Sequence, residues 1–380
     1  MAEPKLLINS VSLIRLRIIN GLSTSYQIPD PLPWRRIVSP LAAAEDALAR
    51  LDERLAKSQI RDGFAARVHF NDACAALWLE GELLHLEDLV LHDAGRDIRA
   101  PTHELTRAFR ILQARRRIAT SKPDWPLSPE GVASLLGRPN HTNDDPPADG
   151  FDIDRAADHL DPLLAEAFSA IDAATARADR ALTHALNHRP RDPLVYDLGW
   201  DTDARLQHWR EIVTETHTYP PLIAAAIALD AWITIEPSQH QPWLGSLLTA
   251  SLLRQRRKTS QLCAINVGLR LVPREHRNSS DQTTRLIVTL EAIAAMAHAG
   301  LKDHDRWLTA RTMMTRKLAS RRSTSRLPAL IEYVMSNPLV SAGMIAAELG
   351  VTQRAAQSLV AELGLREITG RGRYRAWGIL

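Results

Sequence analysis

Gln353, Arg354, Gln357 and Ser358 stand at offsets that place them on one side of a helix, one turn apart. Side-chain amides and guanidinium groups are able to bond base edges in a major groove, and a hydroxyl bonds either base or phosphate. Thr352, just before them, can cap that helix and lies at its outward end. A second group, Arg371, Arg373 and Arg375, follows a short way on, with Arg371 between Gly370 and Gly372. Arginines on a glycine-flanked tip suit phosphate or minor-groove contact. The chemistry open to these residues is recognition of double-stranded DNA, not bond making.

Two helices and a hairpin would have to position those side chains, and the flanking sequence offers both. Two short helical patterns from Ser341 to Leu363 are joined by a Gly350-Val351-Thr352 turn. Ser341 can cap the first and Thr352 the second. Ile345, Leu349, Val351, Ala355, Leu359, Val360 and Leu363 form the shared apolar interior of a helix-turn-helix. Leu365 to Thr369 and Arg373 to Trp377 read as two strands around the glycine tip, the wing of a winged helix. The competing reading is a winged helix used only for protein contact, since the second helix holds one Arg and also Glu362.

Charge favours nucleic acid. From Arg306 onward the chain holds 12 Lys/Arg against 4 Asp/Glu, or +8; the remainder holds 35 against 40, or −5; the total is +3. A basic end on a mildly acidic body is the asymmetry of a DNA-binding tail on a separate core. Hydrophobic residues make up 45% and aromatics 5%, with Ala and Leu abundant, so the expected fold class is all-α. Cys74 and Cys263 provide no disulfide framework or metal quartet. No signal-peptide pattern follows Met1, and the longest apolar stretch, Leu222 to Ile235, is broken by Asp230 and too short to span a bilayer. The expectation is a cytoplasmic, nucleoid-associated protein with no membrane partner.

Four blocks follow from composition: an N-terminal helical region (1–137), a Pro/Asp-rich linker (138–150), a helical core (151–325) and the winged helix (326–380). Helical periodicity covers Leu41–Ala56, Phe64–His85 and Thr102–Ala119 in the first block. In the core it covers Ile153–Leu186, Asp203–Thr216, Pro221–Ile235, Pro242–Arg256 and Thr284–Leu318. Glu80, Glu82, His85, Glu87, Asp88, His92 and Asp93 are dense in metal-ligand types, and Glu82, His85 and Asp88 have i/i+3 spacing. No matching motif exists on a second helix, so a charge-rich helix end is the better account and no metal is expected. The Arg115-Arg116-Arg117 run ends a helix, where cations favour the dipole.

The core block resembles the Fic-domain family. Tyr219-Pro220-Pro221-Leu222 through Ile235-Glu236-Pro237 is similar to the Pro-opened helix that in the family leads into an Ile-His-Pro-Phe turn. Gly245-Ser246-Leu247-Leu248 through Leu252-Leu253 is similar to the helix that follows, and Glu367 to Arg373 to the closing strands of the winged helix that often ends such proteins. Trp78-Leu79-Glu80-Gly81 is similar to the family's inhibitory-helix motif, with Ala76 in place of its Ser or Thr. This resemblance implies a Fic-like helical body. In the family the motif His takes a proton from a target hydroxyl, and a glycine loop holds nucleotide phosphates. Here Glu236 stands in place of that His, and Gln241-Pro242-Trp243-Leu244 in place of the loop. Pro242 has no N–H to offer, Trp243 fills the space of a phosphate, and Leu247 stands near the closing Arg that Glu80 would pair with. The resemblance thus implies a degenerate groove marked by Glu80, Glu236 and Trp243, with no catalytic residue and no cofactor.

Trp78 to Gly95, Arg321 to Leu330 and the terminal winged segment are also similar to an uncharacterised bacterial family seen on rhizobial replicons, over most of the chain. The function expected is sequence-specific binding of double-stranded DNA by a transcriptional regulator, with the body forming a homodimer or sensing a signal. The alternative is a Fic-like enzyme with altered residues, transferring a nucleotide or other phosphoryl group with Glu236 as base.

Overall fold

The computed structural model describes residues 26–96, 100–138, 200–318, 326–369 and 375–379. The protein is all-α, with one small sheet at its C-terminal end. The first helices are α1 (Trp34–Ala56), α2 (Arg61–Leu79), α3 (Leu86–Asp93), α4 (His103–Thr120) and, after a 3-10 turn at Trp125–Leu127, α5 (Pro129–Leu135). Then come α6 (Thr202–Glu215), α7 (Pro221–Ile235), α8 (Leu244–Gln255), α9 (Ile265–Leu271), α10 (Arg274–Arg277) and α11 (Gln282–Arg316). The chain ends in α12 (Leu327–Ser336), β1 (Val340–Ser341), α13 (Ala342–Leu349), α14 (Gln353–Leu363), β2 (Arg366–Glu367) and β3 (Ala376–Gly378).

Helix α11 is the spine. Asp281 caps it by accepting the Thr283 and Thr284 N–H groups, and α1, α7, α9 and α12 pack against it. By length and composition α11 could cross a membrane, but 56% of its apolar window is buried inside the protein. Helix α7 is apolar on every side and almost wholly buried, as such a pattern demands. Its Asp230 is buried too, and Arg285 satisfies it through Nε at 2.5 Å and Nη2 at 3.2 Å. Helix α2 packs on α3, α4, α9 and α12, so helices from both sides of the 138–150 segment share one core.

A buried polar knot joins α2, α4 and α9. Asp72 and Arg115 are both fully enclosed and ion-paired. Asp72 also accepts Asn266 Nδ2 at 2.9 Å and Val267 N–H at 3.1 Å, while Arg115 donates to the Cys263 and Leu262 carbonyls. Fully desolvated charges persist only when paired and bonded in this way.

Most expected helices lie within a few residues of the observed ones; the helix expected at Ile153–Leu186 falls outside the described residues, as does nearly all of the linker. The pattern expected as one helix from Phe64 to His85 ends at Leu79 instead. Consequently Glu82, His85 and Asp88 do not share a helical face: His85 is the N-cap of α3, and Glu82 is paired with Arg107. Among the described residues no three metal-ligand side chains converge. Helices α5, α9, α10 and α12 were not expected; the first three are short, and α9 and α10 lack a clear apolar period.

Candidate nucleic-acid interface

The terminal segment is built on caps. The Ser341 hydroxyl accepts the Met344 N–H at 3.2 Å and starts α13, which ends at Gly350 with φ 62°. A side chain at Gly350 would be strained there, and Val351 N–H returns to the Ala346 carbonyl at 3.0 Å to close the turn. The Thr352 hydroxyl then accepts the Ala355 N–H at 3.2 Å and starts α14. Ala356, Val360 and Leu363 bury one side of α14 against α12 and α13. The opposite side is bare: Thr352, Gln353, Arg354, Gln357 and Ser358 are all exposed. The structure brings these five together on one outward face at the N-terminal half of α14. The Ser358 hydroxyl donates to the Arg354 carbonyl at 3.1 Å, so its lone pairs are what it can offer a partner.

The wing is a three-stranded sheet in the order β1-β3-β2, antiparallel throughout. Val340 pairs with Trp377 and Arg366 with Gly378. Only two of these strands were expected, each longer than observed; β1 has two residues, too few for any alternation to show in the sequence. Arg375 turns back on its own sheet, 2.6 Å from Glu367 and over the Trp377 ring. Arg371 and Arg373 lie outside the described residues.

The winged segment is fastened to the helical body. Arg67 of α2, 3% exposed, donates to the Met335 carbonyl at 2.9 Å and the Val334 carbonyl at 2.7 Å, capping the C-terminal end of α12. Burial lowers its guanidinium to about 10, still charged at neutral pH. Gly63 sits so close to Met335 that a Cβ there would stand 2.8 Å from its carbonyl oxygen. Lys317 donates to the Leu363 carbonyl at 2.6 Å, and Arg311 bridges Gln59 and Glu332. Several cations of the basic tail are thus engaged within the protein. A cation from the body also reaches this segment: exposed Arg96 approaches the Gly343 carbonyl at 3.4 Å and flanks Gly343 together with Gln353. Nothing in the sequence near Arg96 connects it to residues some 250 positions later.

The residues of the expected groove are differently placed. Glu80 caps the end of α2 and pairs with Arg107, so it has a partner after all, though not one from the core block. Burial still raises its carboxyl above the usual range. Glu236 ends α7 in a left-handed conformation, φ 49°, its N–H bonded to Trp232. Trp243, 7% exposed, precedes α8, whose residues Leu244 to Leu253 are all buried, with the Trp232 ring packed directly on Gly245.

A family model described as "HTH DNA binding domain" matches residues 327–380, and one described as "Protein of unknown function (DUF1612)" matches residues 194–319. A Sinorhizobium fredii protein described as "Uncharacterized protein y4cF" is 46% identical over 374 residues, covering 90% of this chain and 97% of that protein.

Proposed function

We propose that this chain, which belongs to the family of the Sinorhizobium fredii protein y4cF and itself ends in a helix-turn-helix, is a sequence-specific binder of double-stranded DNA that regulates transcription. The observation that carries this is the bare polar face of α14. Gln353, Arg354 and Gln357 project from a helix whose position is set by two hydroxyl caps and a glycine turn. Preorganised amides and a guanidinium near a helix N-terminus are what base-edge recognition requires.

On this reading Thr352, Ser358, Arg371, Arg373 and Arg96 position the duplex through phosphates, and Arg375 buttresses the wing. The body is a Fic-like frame used for dimerisation or sensing in the cytoplasm. Burial of the whole first turn of α8 and the engagement of Glu80 by Arg107 both support a closed groove there.

Selection of bound duplexes from random DNA at moderate salt tests the proposal. The expected outcome is one enriched motif that binds at least about 10³-fold more tightly than scrambled DNA. Equal affinity for selected and scrambled duplexes would refute sequence-specific reading.

A further inference from the structure

Ser58, His304 and Asp305 form a chain of hydrogen bonds on the body, away from the face of α14. Ser58 lies in the turn between α1 and α2, and His304 and Asp305 are consecutive on α11. Nε2 of His304 is 2.8 Å from the Ser58 hydroxyl, and Nδ1 is 3.2 Å from Asp305 Oδ1. His304 is 1% exposed, while Ser58 is half-buried and Asp305 exposed.

The direction of these bonds follows from what each group can give. A carboxylate only accepts, and Arg54 holds that of Asp305 through Nη1 at 2.6 Å. Nδ1 of His304 therefore carries the ring proton, and Nε2 offers its lone pair to the Ser58 hydroxyl. That hydroxyl also accepts the Ile60 N–H at 3.2 Å, which holds it in place and leaves one lone pair on the oxygen. Gln59, next along the chain, is exposed, and its N–H donates to no group among the described residues. The residue after a nucleophile is a common source of an oxyanion-hole donor.

The geometry points to a serine acyl-transfer site at this turn, with Ser58 as nucleophile, His304 as general base and Asp305 as the residue that positions the ring. Hydrolysis of an ester balances over these groups and one water. Ser58 Oγ bonds to the acyl carbon and its proton passes to Nε2. The C–O bond to the alcohol breaks as Nε2 returns that proton to the departing oxygen. Water then attacks the acyl-serine by the same route, releasing the acid and restoring Ser58. The substrate class is a small carboxylic ester. A single oxyanion donor, and an Asp305 shared with Arg54, suit a good leaving group rather than an amide. The site does not rest on the DNA-binding reading, and its test uses no DNA.

The full-length protein is incubated with p-nitrophenyl acetate, and the acetylated residues are located by peptide mass mapping over time. Acetylation of Ser58 ahead of any lysine is expected. His304→Gln keeps a hydrogen-bonding group beside Ser58 but removes the base, and should slow acetylation there by about 10²–10⁴-fold. Asp305→Asn gives Nδ1 a partner that also donates, which favours the wrong tautomer. It should slow acetylation of Ser58 at least about tenfold. Its melting temperature should hardly change, since an exposed ion pair contributes little. If His304→Gln does not fold, the wild-type map and Asp305→Asn decide. Acetylation of lysines with none on Ser58, a Ser58 rate as high in heat-unfolded protein, or equal Ser58 rates in wild type and Asp305→Asn would each overturn the assignment.

Discussion

The helical body and the winged segment use the same polar side chains in opposite ways. In the body Arg67, Arg115 and Arg285 point inward, each meeting a carboxylate or helix-end carbonyls, with Arg67 and Arg115 buried and Arg285 partly so. In the winged segment Gln353, Arg354 and Gln357 point outward and, among the described residues, have no ion pair or side-chain hydrogen bond within the protein. Inward charges specify how helices meet and contribute little to any partner. Outward ones leave stability almost untouched and keep their bonding capacity for something else. Function is therefore to be sought where polar groups are positioned but not consumed.

The sharpest way to break this contrast is at the buried knot. Asp72→Ala strands the charge of Arg115 and removes the acceptor of Asn266 and Val267. The expected loss is about 3–5 kcal/mol in chemical denaturation. A loss under about 1 kcal/mol would mean that inward pairs do not hold the body.

Next in size is the joint between the regions. Arg67→Met keeps the bulk beside Trp307 but leaves the Val334 and Met335 carbonyls uncapped. We expect a loss of roughly 2–3 kcal/mol, with amide exchange rising first in α12. If exchange in α12 is unchanged, the winged segment does not depend on the body for its anchorage.

The two regions also differed in how much the sequence disclosed. The caps Ser341 and Thr352, the Gly350 turn and the outward polar set of α14 were all legible, because each depends on neighbours within one turn of helix. The helices α1, α4, α6, α7, α8 and α11 were legible from apolar period and length. What was hidden depends on distant partners. Nothing local distinguishes buried Arg115 from Arg116 and Arg117, which meet Asp93 and the Trp125 ring; the run looked like ordinary helix-end charge. Likewise β1 forms only because β3 arrives beside it.

A middling effect separates reading from anchoring on the winged segment itself. Arg354→Ala or Gln357→Ala should cost about 1–3 kcal/mol on the selected duplex and flatten its sequence preference. Their expected effect on folding is slight, since both side chains are exposed. Loss of affinity that is equal on selected and scrambled DNA would show that α14 does not read bases.

The smallest expected effect comes from the residue that crosses between the regions. Arg96 belongs to the body by sequence, yet its guanidinium lies against Gly343 and beside Gln353, on the surface that would face the duplex. Its bond to the Gly343 carbonyl is long at 3.4 Å and exposed, so it contributes little to stability and leaves donors for a phosphate. Arg96→Ala should therefore weaken binding to every sequence alike and lower the log–log salt slope by about one, with no change in preferred motif. Arg371→Ala and Arg373→Ala serve as the comparison, because a wing arginine on phosphate predicts the same signature. Titrations of selected and scrambled duplexes at several salt concentrations separate the outcomes. An unchanged slope for Arg96→Ala beside a reduced one for the wing variants would confine the interface to the terminal segment. A reduced slope for all three would mean that the body helps to hold DNA.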